Sequence, residues 1–276
     1  MLELFKVVIL GIVEGITEWL PISSTGHMLL FDLFLKLKSP DDFKAMFFVV
    51  IQLGAILAVV MVYWSQLWPW KRAENGQITT SRSTLRLWGK VLVATLPAAV
   101  VGFALDDFID AHMHKPVIIA LALIIFGIWF ILIEDWNKKR RPAIRKLSQI
   151  TYRDALLIGA FQMLALVPGV SRSGATIIGM LVMGVSRGLA ARFSFFMSIP
   201  VMFGASFLKL VKFGFHFTGF QVVELFIGMV VAFVVSVLVI KFLMEYIKKH
   251  DFKVFGWYRI ALGILVLLVF GLRAIF

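Results

Sequence analysis

Six apolar stretches, each about as long as a helix that crosses a bilayer, dominate this chain: residues 43–63, 85–105, 116–133, 189–211, 220–244 and 255–272. A hydrocarbon core takes about 20 apolar residues in helical form, and every backbone polar group inside it must be satisfied within the segment. Few architectures remain open. The expected fold is an all-α polytopic membrane protein, and a hydrophobic content of 61% agrees with it. The first apolar run has neither a basic n-region nor an A-x-A site, so it is expected to belong to the fold and not to a cleavable signal.

Charge orients the spans. The net charge of +12 is gathered in loops, with no basic stripe carrying interleaved aromatics, so no nucleic-acid partner is expected. The connection 135–154 holds Lys138, Lys139, Arg140, Arg141, Arg145, Lys146 and Arg153 and marks the cytoplasmic side under the positive-inside rule. Counting outward from it, the connections 64–85 and 246–254 also fall inside. The 38–42 turn and the acidic turn with Asp106, Asp107 and Asp110 fall outside. Trp64, Trp68, Trp70 and Trp136 suit interfacial anchors. The absence of cysteine excludes disulfides, thiolate nucleophiles and cysteine-ligated metals.

Two apolar segments, 2–35 and 156–183, carry polar islands at their centres: 14–27 (EGITEWLPISSTGH) and 168–176 (PGVSRSGAT). Ionisable groups at membrane depth cost roughly 2.5–3.5 kcal/mol each, so two clusters of them point to function. Neither half of either segment is long enough to span. Re-entrant helix-loop-helix hairpins are one solution, with the first entering from outside and the second from the cytoplasm; two ordinary spans joined by a surface loop are the other. Gly11 and Glu14 align with Gly159 and Gln162 at an offset of 148, which also superposes Ser23, Thr25 and Gly26 on Ser171, Ser173 and Gly174. Three oppositely directed spans follow each island, the pattern of an inverted-topology repeat with its site at the repeat interface. Chance likeness of two glycine-bearing turns is the competing explanation. The expected organisation is one integral membrane domain, 1–276, with repeat one at about 1–135, repeat two at about 154–276, and the basic cytoplasmic loop 136–153 between them.

The islands complement each other chemically. Glu14 and Glu18 lie one helical turn apart, and two carboxylates in a low dielectric need a cation between them: a divalent ion, Mg²⁺ or Ca²⁺ given hard oxygen donors, or Arg172. The plain alternative is a pair of glutamates snorkelling from a surface helix. Pro21 breaks the helix, and Ser23, Ser24 and Thr25 can offer hydroxyls and N–H groups at the start of the next, a ready anion site. Ser24 and His27 are spaced as a nucleophile and its base, although an N-cap serine explains Ser24 equally well. Arg172 can fork onto phosphate or pair with Glu14 or Glu18. Ser171, Ser173, Gly174 and Thr176 supply neutral donors beside it. His112 and His114 can bind metal, but a solvated loop is the simpler explanation.

The Glu14-x-x-x-Glu18 pair, the following PISSTGH and the PGVSRSGAT island together resemble the bacterial undecaprenyl-pyrophosphate phosphatase family, also known for bacitracin resistance. The resemblance covers essentially the whole chain. It implies hydrolysis of undecaprenyl pyrophosphate at the outer face of the cytoplasmic membrane, recycling the lipid carrier of cell-wall synthesis, with a divalent cation as cofactor and the bilayer as solvent. It maps the glutamate motif to Glu14 and Glu18, the histidine to His27 and the phosphate-binding arginine to Arg172. A homodimer is compatible with the sequence. A transporter or flippase of polyprenyl phosphate lipids is the main rival, because broken helices in inverted repeats are transporter architecture. A second membrane phosphatase superfamily, with Pro-Ser-Gly-His and Ser-Arg motifs, ranks third because no histidine or aspartate follows Arg172 before the next span.

Overall fold

The computed structural model describes residues 2–35, 37–72, 77–214 and 216–275, and the side chains of residues 32, 33, 110 and 273–275 lie outside that description, Asp110 of the acidic turn among them. Two short helices come first, α1 (Leu2–Thr17) and α2 (Ser24–Leu35). Then α3 (Asp41–Val50) and α4 (Gln52–Val62) follow one another across Ile51. A single turn, α5 (Trp64–Leu67), and a small antiparallel hairpin, β1 (Trp70–Arg72) with β2 (Ile78–Thr80), lead to α6 (Arg82–His112) and α7 (Pro116–Asn137). The second half comprises α8 (Tyr152–Met163), α9 (Arg172–Val182), α10 (Arg187–Phe213), α11 (Gly219–Lys249) and α12 (Lys253–Ile275).

Local chemistry explains several boundaries. Ser81 caps α6 by accepting from the Thr84 N–H, and Thr151 with Asp154 and Thr218 with Gln221 form reciprocal capping boxes at α8 and α11. Gly214, at φ +87°, ends α10 in the left-handed region that favours glycine. Among the described residues, six segments are long and apolar enough to cross a membrane: α3 with α4, α6, α7, α10, α11 and α12. These are the six expected from hydropathy, and they make the chain a multi-pass membrane protein. The small hairpin β1–β2 was not foreseen.

Packing is close where side chains vanish. α1 lies against α11, where a Cβ on Gly15 would meet the Ala232 carbonyl at 2.9 Å; α8 lies against α6, where one on Gly159 would meet the Ala94 carbonyl at 2.4 Å. Such approaches suit helix pairs in lipid, where backbone proximity replaces the hydrophobic drive. The main core surrounds the two breaks, with Trp19 edge-on to Phe195 at a centroid distance of 5.3 Å.

Loops grouped by charge onto one side do meet at one end of the bundle. Lys90 donates to the carbonyls of Leu147 and Ser148, and Lys253 pairs with Asp135. Arg187 grips the fully buried Glu134 through Nε at 2.9 Å and Nη2 at 2.5 Å, and the Phe252 N–H donates to the same carboxylate. At the opposite end the Lys38 N–H donates to Glu3, Ser39 to Glu224 and Lys212 to Asp106.

Candidate active site

Both polar islands break a helix in the same way. α1 stops at Thr17, the chain runs irregularly past Pro21, and Ser23 takes φ +72° before α2 starts at Ser24. α8 stops at Met163, a 3₁₀ turn (Leu164–Leu166) leads to Pro168 and Gly169, and Ser171 also takes φ +72° before α9 starts at Arg172. Among the described residues these two serines, 148 apart, are the non-glycine residues with positive φ. Each costs on the order of 1–3 kcal/mol, a strain that persists only where the surroundings impose it. At Ser23 they do so through His27 Nδ1–H, which donates to its carbonyl at 2.7 Å, and the Gly26 N–H, which donates to its hydroxyl at 3.4 Å. At Ser171 the hydroxyl accepts from the Gly174 N–H at 3.2 Å and contacts the Ser173 hydroxyl at 3.1 Å.

Glu18 is where the islands join. Its Oε1 accepts from Arg172 Nη2 at 3.3 Å, its Oε2 from the Ser24 hydroxyl at 3.2 Å, and its backbone carbonyl from the Ser173 hydroxyl at 3.3 Å. The second arm of Arg172 donates to the Ser194 carbonyl at 2.7 Å. Thr176 shares a 2.7 Å hydrogen bond with the Ser194 hydroxyl and donates to the Arg172 carbonyl, so it buttresses the arginine's helix. A carboxylate, a hydroxyl and a guanidinium from the two halves of the sequence thus converge in a largely buried cluster, of which Ser24 is half-buried, as is its neighbour Thr25.

His27 takes a different place from the one its spacing suggested. With Nδ1–H committed to Ser23, its Nε2 accepts from the Tyr258 hydroxyl at 2.7 Å, and the hydroxyl of Ser24 turns to Glu18. Tyr258 on α12 was missed by motif reading, and so was its neighbour Arg259, which is fully buried. The missed signal was a charge inside an apolar span, the criterion that had drawn attention to the islands. His112 and His114 are exposed, and Nδ1 of each faces a helix carbonyl, that of Phe108 at 3.1 Å and that of Ile109 at 3.3 Å.

The donor set suits a hard divalent cation. Glu14 is buried, its carboxylate oxygen Oε1 has no hydrogen-bond partner among the described residues, and it stands one helical turn before Glu18, whose N–H donates to the Glu14 carbonyl at 3.0 Å. Among the described residues no cluster of three or more His, Asp or Glu gathers. Glu14 and Glu18 are the carboxylates that could hold such an ion, since Mg²⁺ commonly takes one or two carboxylates and keeps several waters. Gln162, at the position that aligns with Glu14, is also buried, and neither of its side-chain polar atoms has a partner among the described residues.

Comparison with known proteins bears on the whole chain. The family model described as bacitracin resistance protein BacA matches residues 7–265. An undecaprenyl-diphosphatase of Enterococcus faecalis is 60% identical over 97% of both chains. One of Desulfitobacterium hafniense is 58% identical over 100% of this chain and 99% of its own, and one of Acetivibrio thermocellus is 56% identical over 98% of each. With the family model and near-full-length relatives in agreement, the chain belongs to the BacA bacitracin resistance protein family.

Proposed function

We propose that this chain hydrolyses undecaprenyl pyrophosphate to undecaprenyl phosphate and inorganic phosphate, regenerating the lipid carrier for cell-wall synthesis and conferring bacitracin resistance. The observation that carries the reading is the Glu18 junction, where Ser24, Arg172 and Ser173 meet one glutamate. A nucleophilic hydroxyl, a proton acceptor and a phosphate-gripping cation are the parts that anhydride cleavage needs.

In this reading residues 1–276 form one membrane domain of two inverted repeats, about 1–135 and 154–276, joined by the cytoplasmic loop 136–153. The α1–α2 and α8–α9 pairs are re-entrant hairpins meeting near the midplane. Support comes from the matched breaks and from reciprocal packing: α1 on α11 mirrors α8 on α6, and α2 on α12 mirrors α9 on α7. Loop charge then opens the site to the outer face of the bacterial cytoplasmic membrane.

The polyprenyl tail lies among lipid-facing helices while the pyrophosphate enters the pocket. Arg172 turns from Glu18 to the terminal phosphate, assisted by the N–H groups and hydroxyls of Ser171, Ser173 and Gly174, with Ser23, Thr25 and Thr176 framing the pocket. Ser24 Oγ attacks the terminal phosphorus in line and gives its proton to Glu18, and the anhydride P–O bond breaks to release undecaprenyl phosphate. Water then cleaves the phosphoserine, freeing phosphate and restoring Ser24. A one-step variant lets Glu18 deprotonate water instead. A divalent cation on Glu14 and Glu18 supplies charge neutralisation at the phosphates when bound. His27 holds the strained Ser23 turn.

The test is phosphate release by purified protein in detergent, where no vectorial process exists, from undecaprenyl and farnesyl pyrophosphates with and without chelator. Wild type should release phosphate, and chelator, Glu18→Ala and Arg172→Ala should each suppress it. Binding of the lipid without phosphate release would favour the transporter or flippase, the alternative that the broken helices suggest.

A further inference from the structure

Arg259 donates through Nη1 to the Pro21 carbonyl at 3.2 Å and through Nη2 to the Gly169 carbonyl at 2.9 Å. Those two carbonyls stand at the repeat offset of 148 and occupy equivalent places, each three residues before the first residue of the following helix, Ser24 or Arg172. Both belong to irregular backbone, and among the described residues neither accepts a backbone N–H. Nη1 and Nη2 are related by an approximate two-fold axis along the Nε–Cζ bond. One side chain therefore grips equivalent points of the two breaks with its two terminal nitrogens.

The surroundings make this placement costly without a purpose. Arg259 is fully buried, and among the described residues its Nε has no hydrogen-bond partner. Among the described residues no carboxylate pairs with it, and the Phe126 ring lies 5.8 Å from Cζ. An isolated cation in an apolar span is rare and expensive. α9 makes room for it, since a Cβ on Gly174 would lie 3.2 Å from Nη1. Neighbouring Tyr258 donates to His27, so one turn of α12 restrains the first break twice.

We propose that Arg259 is a positioning residue that locks the two breaks in register, so that Ser24 and Glu18 from one meet Arg172 from the other. The proposal rests on the phosphatase reading for its consequence and on geometry for its existence. Arg259 touches backbone, not the reacting atoms, and it acts through Ser24 and Arg172. Lysine keeps the charge but has a single nitrogen and cannot reproduce the planar fork.

The test uses the purified full-length chain as wild type, Arg259→Lys and Arg259→Gln, with two readouts. In phosphate-release kinetics, slippage of the register by about 1 Å predicts a roughly 10²-fold loss of kcat for Arg259→Gln with KM little changed, and a substantial loss for Arg259→Lys. In hydrogen-exchange mass spectrometry, Arg259→Gln should raise exchange in residues 19–27 and 167–174 together. Wild-type kcat in Arg259→Lys would assign the effect to charge alone and overturn the clamp. So would a rise in KM at constant kcat, or exchange that changes at one break or at neither. If Arg259→Gln fails to fold, Arg259→Lys carries both arms. A wild type that releases no phosphate refutes the phosphatase reading instead, and the exchange arm still decides the clamp.

Discussion

Replacing Glu18 with glutamine tests the junction with little change in shape. The amide keeps an acceptor for one neighbour but removes the charge that Arg172 faces at 3.3 Å. Breaking one half of a buried ion pair costs roughly 3–5 kcal/mol. The separation is long for a charge-assisted bond, the two side chains keep 11% and 9% of their exposure, and Arg172 retains its bond to the Ser194 carbonyl. The loss of stability should therefore sit at the lower end, ~3 kcal/mol. Catalysis should suffer more. The amide cannot take the Ser24 proton, which removes a general base worth about 10²–10⁴-fold in kcat. Arg172, no longer held by a carboxylate, becomes freer to bind phosphate, so KM should fall or stay level. Steady-state phosphate release and thermal unfolding of the same preparations measure the three effects. If Glu18→Gln keeps wild-type kcat, or raises KM with kcat unchanged, Glu18 contributes only uniform binding and the proton route is wrong.

Other substitutions probe separate parts of the account. Ser24→Ala should abolish turnover and any acid-stable phosphoserine seen by mass spectrometry after quenching, whereas substantial residual turnover selects the one-step water route. Glu134→Ala strips the partner from Arg187, whose side chain is 35% exposed and can rehydrate, so unfolding should become easier by about 2 kcal/mol. Its kcat and KM per folded molecule should match wild type, because that pair lies at the loop end of the bundle. Gly159→Val forces a Cβ to within 2.4 Å of the Ala94 carbonyl, and overpacking of about 1–3 kcal/mol should lower the thermal midpoint; an unchanged midpoint would mean that α8 and α6 are not in close contact.

Hydropathy and loop charge made the spans legible because membrane insertion acts on whole segments, and all six emerge as helical segments, although the first is divided at Ile51 and α6 runs on to His112, seven residues past the expected limit. The islands were legible for the complementary reason, that polar groups in apolar surroundings demand partners. Partner choice was not legible. Ser24 and His27 are spaced to meet, yet the positive φ at Ser23 turns that backbone so that the imidazole caps the Ser23 carbonyl and reaches Tyr258, 231 residues away. Spacing along a helix says nothing of a turn strained by tertiary contacts. Arg259 escaped because a single charge leaves the mean hydropathy of its span almost unchanged, even though its cost belongs to that one residue. The pairing of Arg172 with Glu18, rather than Glu14, likewise depends on how the two breaks are set against each other.

The central claim is that the two islands form one hydrolytic site, and a double-mutant cycle on phosphate release by Glu18→Gln, Arg172→Ala and the double variant tests it most directly. Residues that act as a unit are not additive. The account predicts that the double variant loses kcat/KM about as far as the worse single variant. Losses that multiply across the cycle would place the two residues in independent roles and contradict the shared site.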